Sequence, residues 1–133
     1  MAFGVAIVVT NIGKAMFADR LRTSPATYTA SPKYLALGTG ATGAARTAAA
    51  TDTALSTPAD SRAAGTESTV TTTNTGDTYQ DDATVTAGAN RAYDEYGLFD
   101  ASSSGNMGLS GTMNVINIPS GSSLEMTIKI QQT

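Results

Sequence analysis

The chain has 133 residues, enough for one domain and too few for two ordinary ones. It has no cysteine, histidine or tryptophan, and 14% of it is charged, against about 25% in an average soluble protein. Those absences exclude a disulfide framework, the usual zinc sites, thiol nucleophiles and any Ser–His or Cys–His pair, and leave an all-oxygen cation site as the accessible metal chemistry.

The net charge is −3, and the eight basic residues are scattered, with Arg20 and Arg22 the only close pair. Nucleic acid is therefore not an expected partner, because a phosphate backbone needs clustered Lys and Arg. No apolar run approaches the length of a membrane span, and the run at residues 2–9 lacks the basic flank and cleavage site of a signal peptide. Threonine and alanine occur 22 times each and serine 12 times. A surface of small uncharged groups is unusual for a lone protein and suits one that is assembled.

Phe3-Gly4-Val5-Ala6-Ile7-Val8-Val9 is apolar on both faces, the pattern of a strand that is fully buried or needs a partner to cover it. Thr10-Asn11 is a helix N-cap signal. About three turns of amphipathic helix are predicted to end near Arg22, with Ile12, Ala15 and Met16 on one face and Phe17 and Leu21 beside it. Residues 1–32 thus read as an N-terminal arm and short helix attached to a body of residues 33–133. In that body Tyr34-Leu35-Ala36-Leu37 is a short strand, and residues 39–65, rich in Ala, Thr and Gly, read as one long loop. Strands come next at 67–74, 79–87 and 91–99, separated by turns at Asn74-Thr75-Gly76-Asp77 and Gly88-Ala89-Asn90. Met107, Leu109, Met113 and Val115 alternate with small or polar residues before the phase flips at Ile116 and Ile118, which predicts a bulge. Leu124, Met126, Ile128 and Ile130 alternate with Glu125, Thr127, Lys129 and Gln131, a half-buried antiparallel strand. The expected fold is mainly β, an antiparallel β-sandwich, jelly-roll-like or barrel-like, with an arm strand and one short α-helix.

Gly38, Gly40 and Gly43 form a literal G-x-G-x-x-G, with Asp60 about 20 residues on, as in a dinucleotide fold. The fingerprint needs a βαβ unit, and the Thr- and Ala-rich residues after Gly43 lead into hairpins instead, so a glycine-rich turn is the reading adopted. Asp77, Asp81 and Asp82, with Asp94 and Glu95, are candidates for a structural cation or a carboxylate pair; solvated strand-edge charges are the simpler account. The tract Thr69-Val70-Thr71-Thr72-Thr73 has the T-x-T unit of ice-binding arrays once, where such arrays repeat it. Tyr93, Tyr96 and Phe99 could form a sugar-stacking platform, but aromatics at that spacing are more often core or interface. No catalytic residue, cofactor or metal is assigned, and no enzyme activity is expected.

Lys33-Tyr34-Leu35-Ala36-Leu37-Gly38-Thr39-Gly40, Asp52-Thr53-Ala54-Leu55-Ser56-Thr57-Pro58 with Arg62, and Glu95-Tyr96-Gly97-Leu98-Phe99-Asp100 together resemble a family of small tailed-bacteriophage virion proteins. The Gly105-Asn106-Met107 turn and the closing strand fit as well, so the resemblance spans roughly residues 33–131; Tyr96 departs from it where a small aliphatic residue is commoner. It implies a β-sandwich virion component without catalytic residues. Within that class the expectation is a capsid decoration (cement) protein on the capsid surface, bound to the major capsid protein and commonly a homotrimer. A tail, collar, baseplate or fibre-adaptor component is the alternative, and a glycan- or receptor-binding module the second. The interface is expected at Phe3, Val5, Ile7, Val9, Met16, Phe17, Tyr93 and Tyr96.

Overall fold

Eight strands and one helix succeed one another in a computed structural model that describes residues 6–22, 27–43 and 46–133. They are β1 (Ala6–Val9), α1 (Asn11–Arg20), β2 (Tyr34–Gly38), β3 (Pro58–Ala64), β4 (Thr66–Val70), β5 (Thr78–Thr86), β6 (Arg91–Phe99), β7 (Met107–Ile118) and β8 (Ser123–Gln131). A five-stranded sheet of order β1-β7-β6-β2-β3 faces a three-stranded sheet of order β4-β5-β8, and every pairing is antiparallel. The fold is a β-sandwich.

Period-two patterning builds the layer between the sheets. Leu35 and Leu37 of β2, Leu98 of β6 and Leu109 of β7 meet Ala83 and Val85 of β5 and Ile128 of β8 there. The phase flip in β7 is a bulge: Tyr93 opposes Ile116 and Glu95 opposes Thr112, so three β7 residues face Asp94 alone. At this irregularity Tyr93 and Tyr96, although of opposite parity, both lie in the core between the sheets. Both rings are essentially inaccessible. They are therefore core residues and neither an interface nor a sugar platform, and the same holds for Phe99, buried on the outer side with Ala36, Leu55 and Met107.

Three expectations change. The arm strand is not fully buried: Ala6–Val9 pairs with Leu109–Thr112 of β7 and extends the large sheet, and Ile7 stays exposed. Residues 39–65 are not all loop. Pro58–Ala64 forms β3 against β2, although it has no apolar alternation and carries Asp60 at φ +66°. The Thr-rich strand is shorter than 67–74, since the Asp77 carboxylate accepts the N–H groups of Thr72, Thr73 and Asn74 and draws them out of the ladder into a turn.

The helix keeps its predicted start and only part of its predicted face, with Met16 buried, Ile12 half-buried and Ala15 exposed. Thr10 is the N-cap; its Oγ1 accepts the Gly13 N–H at 2.9 Å and donates to the Met107 carbonyl. The buried face is Gly13, Met16 and Asp19, while Phe17 and Leu21 point to solvent. Asp19 is held there by the Tyr28 N–H and the Arg22 guanidinium. Packing is decided by close approach, since a Cβ on Gly13 would stand 2.0 Å from the Gly108 carbonyl oxygen of β7.

Gly13→Ala should therefore act against helix propensity. In a free helix the change stabilises by about 1 kcal/mol, but here the added methyl must push α1 off β7, and overpacking of this kind costs roughly 1–3 kcal/mol. A lowered urea midpoint for Gly13→Ala, beside a near-wild-type midpoint for the exposed Lys14→Ala, is the expected result.

Candidate functional site

The glycine-rich segment after β2 lies across the outer face of the large sheet, and the carboxylates of β6 bind it there. Glu95, fully buried, accepts N–H groups from Gly40 at 3.2 Å, Ser56 at 3.0 Å and Thr57 at 2.7 Å, and the Arg46 Nη2 at 3.0 Å. Asp94 accepts the N–H groups of Ala41 and Gly43, both at 2.9 Å. Arg46 reaches on through Nη1 to Asp52, which also accepts the Ala49 N–H and the Ser110 hydroxyl. Burial pushes the Asp52 carboxyl up, but Ser110, Ala49 and Arg46 outweigh it and hold the group below the usual carboxylate range.

The glycines have a steric reason. A Cβ on Gly38 would stand 2.5 Å from Glu95 Oε1, and one on Gly40 would strike Ser56 and Thr57. In a dinucleotide fold such amides face a pyrophosphate. Here the N–H groups of Gly40, Ala41 and Gly43 already bind the chain's own carboxylates, so the motif closes a loop. The same contacts engage Asp94 and Glu95 and leave no free pair for glycoside hydrolysis. Gly40 of the Lys33–Gly40 block and Ser56 and Thr57 of the Asp52–Pro58 block thus bond to Glu95, the first residue of the Glu95–Asp100 block.

The other acidic residues do not converge. Asp77 closes the turn of residues 71–77, and the N–H groups of Asn74, Thr72 and Thr73 hold its carboxyl far below the usual range. Asp82 accepts from Thr127 and Gln80 on the opposite face of β5 from Asp81. Among the described residues no group of three potential ligands is placed to hold a metal ion. Asp60 forms a separate buried node, accepting from Arg91 Nε and Nη2, the Tyr93 hydroxyl and the Gly88 N–H; Arg91 leads in holding its pKa down at about 2.

Asp81 is the exception. It is fully buried on the core side of β5, opposite Glu67 of β4 and Ile128 of β8, with both carboxylate oxygens unpartnered among the described residues. A Cβ on Gly65 would stand 2.1 Å from Oδ1, so only glycine fits where the chain crosses between sheets. Burial first, then the Glu67 and Asp82 charges, push its pKa up to about 6 against the pull of Lys33.

The expected interface residues separate. Ile7 and Phe17 are exposed and Val9 is half-buried, whereas Met16 is buried against β7 and joins Tyr93 and Tyr96 as interior residues; Phe3 and Val5 lie outside the described residues. Val9, Met16 and Phe17 line a groove of about 600 Å³ between α1 and the small sheet, whose far wall includes Thr69, Tyr79 and Ile130. Sequence reasoning missed Arg46. The available signal was its isolation, for it is the only charged residue between Lys33 and Asp52. Comparisons with protein-family models, with curated proteins and with solved structures find no match to this chain.

Glu95→Gln should remove the charge facing Arg46 and present an amide N–H₂ to donors. Breaking a buried pair in this way costs about 3–5 kcal/mol. Hydrogen exchange should show the 39–57 segment losing protection before the strands beneath it. Asp81 has a pH signature of the opposite sign to the usual carboxylate. From its ordinary value of about 3.9 up to about 6 the folded chain retains a proton that the unfolded chain releases, so stability falls as pH rises through this window. Asp81→Asn should therefore melt higher than wild type at pH 7.5, and thermal scans at pH 4 should show that advantage gone.

Proposed function

We propose that this chain is a structural component of a tailed-bacteriophage particle, and within it a capsid decoration protein that binds the major capsid protein and stabilises contacts between its subunits. The observation that carries the reading is the surface of β1 and α1. Ile7, Phe17 and Leu21 are 42%, 49% and 76% exposed; Phe17 lines the groove, and Leu21 follows it one helical turn on. Exposed large apolar side chains beside a groove rimmed by polar and charged groups mark a place where another molecule sits, and fully burying each contributes roughly 1.5–3 kcal/mol.

The interior polar groups support the same reading. The carboxylates around Glu95 bind the chain's own loop amides, which is the use a passive building block has for them. Uncharged polar groups also lose little hydration when pressed against a neighbour, compared with charges. Repetition over a shell then multiplies a modest single-site affinity.

The test uses Phe17→Asp combined with Leu21→Asp, both at solvent-facing positions, so the melting temperature should stay near wild type. In particles assembled with this variant the copy number should fall by about tenfold or more, as expected when roughly 1.4 kcal/mol or more of contact energy is lost. Wild-type incorporation would sink the β1–α1 attachment. Immunogold labelling of intact particles separates the two virion readings, with label over the shell expected and label confined to the tail assigning the protein to the tail or collar.

A further inference from the structure

The outer edge of the small sheet carries an unsatisfied specification of its own. β8 pairs with β5 over nine consecutive positions, from Thr86–Ser123 to Thr78–Gln131, without a bulge or a proline. On its other side it is the last strand, and among the described residues no backbone group of Ser123–Gln131 bonds to anything beyond β5. Edges of this length are ordinarily shortened, bulged or blocked, because they template pairing with another chain. Glu125 and Lys129 are exposed on its outer face, and neither forms an ion pair among the described residues.

We propose that β8 is a two-fold interface, pairing antiparallel with β8 of a second copy of this chain in the register centred on Thr127. A two-fold axis perpendicular to the sheet keeps each side chain on its own face, so opposed residues must share parity. In the Thr127-centred register Glu125 lies opposite the partner's Lys129, and Lys129 opposite the partner's Glu125. On the core-side face Met126 meets the partner's Ile128 and Leu124 the partner's Ile130, while Ser123 meets the partner's Gln131. Every opposed pair is thus matched by kind. Moving the centre to Met126 or Ile128 leaves both charges facing uncharged residues. A lone edge lysine would only repel a second copy; Glu125, four residues away, turns it into half of a self-complementary pair. The product is a continuous six-stranded sheet across two chains. Where the family resemblance implies three-fold association, β8 specifies a two-fold contact, independent of whether the protein belongs to a particle.

The natural absence of cysteine allows a register-specific test in the full chain. Thr127→Cys places two thiols across the axis at a Cα separation of about 4.5–5.5 Å, within disulfide reach, and should give a covalent dimer under mild oxidation. Glu125→Cys alone and Lys129→Cys alone should not, since each thiol is then roughly 14 Å from its copy at about 3.4 Å per residue. Mixing those two variants should link one to the other. In the Thr127→Cys background, Glu125→Lys should slow cross-linking about tenfold, and adding Lys129→Glu should restore it. The proposal is overturned if both the Thr127 variant and the mixture stay uncross-linked, if Glu125→Cys alone links as fast as Thr127→Cys, or if the charge swap does not rescue.

Discussion

A carboxylate fully buried on the outer face of the large sheet, Glu95, organises the chain around it. Taking such a charge out of water is unfavourable by several kcal/mol unless donors surround it, and here three backbone N–H groups and the Arg46 guanidinium do so. The constraint runs both ways. The carboxylate requires the segment of residues 39–57 to lie on the sheet, and that segment seals β6 on a face that would otherwise be wet. Tyr93 to Phe99 are consequently buried without interruption, an environment more common for a central parallel strand than for an antiparallel one.

The same node decides how the chain's chemistry-bearing residues are to be understood. Gly38, Gly40 and Gly43 are small because a carboxylate and a neighbouring backbone stand where their side chains would be, and Asp94 and Glu95 are acidic because loop amides need acceptors. Asp60 plays a similar part at the far end of β6, joining β3 to Arg91 and Tyr93 in a left-handed backbone conformation that the four hydrogen bonds hold in place. Among the described residues the Asp81 carboxylate lacks such partners, and burial raises its pKa to about 6, so that the fold holds its proton only below that pH.

Much of the β-body was legible because its signal is local. The nine residues of β6 match the expected 91–99 strand, and β8 arises from an alternation sustained over four pairs. The bulge in β7 announced itself as a flip in phase. β3 escaped because its pairing with β2 depends on partners 20 to 30 residues away, and Pro58-Ala59-Asp60-Ser61-Arg62 has no periodic face. The helix misled for a related reason. Hydropathy places Phe17 and Leu21 beside an apolar face of Ile12, Ala15 and Met16, but the close approach of Gly13 to Gly108 turns the face of Gly13, Met16 and Asp19 to β7 and leaves Phe17 and Leu21 outside. Tyr93 and Tyr96 are ambiguous between core and interface in the sequence, and packing between the sheets decides for core.

The sequence by itself determined what chemistry is excluded, where most strands begin and end, and that the surface is poor in charge, since composition and period two are properties of neighbouring residues. Only the tertiary structure decided that the arm strand joins the sheet, that the glycine-rich motif wraps a carboxylate of its own chain, and that Ile7, Phe17 and Leu21 remain uncovered. Those outcomes depend on which distant groups meet, and a buried charge or a missing Cβ takes its meaning from the atoms packed against it.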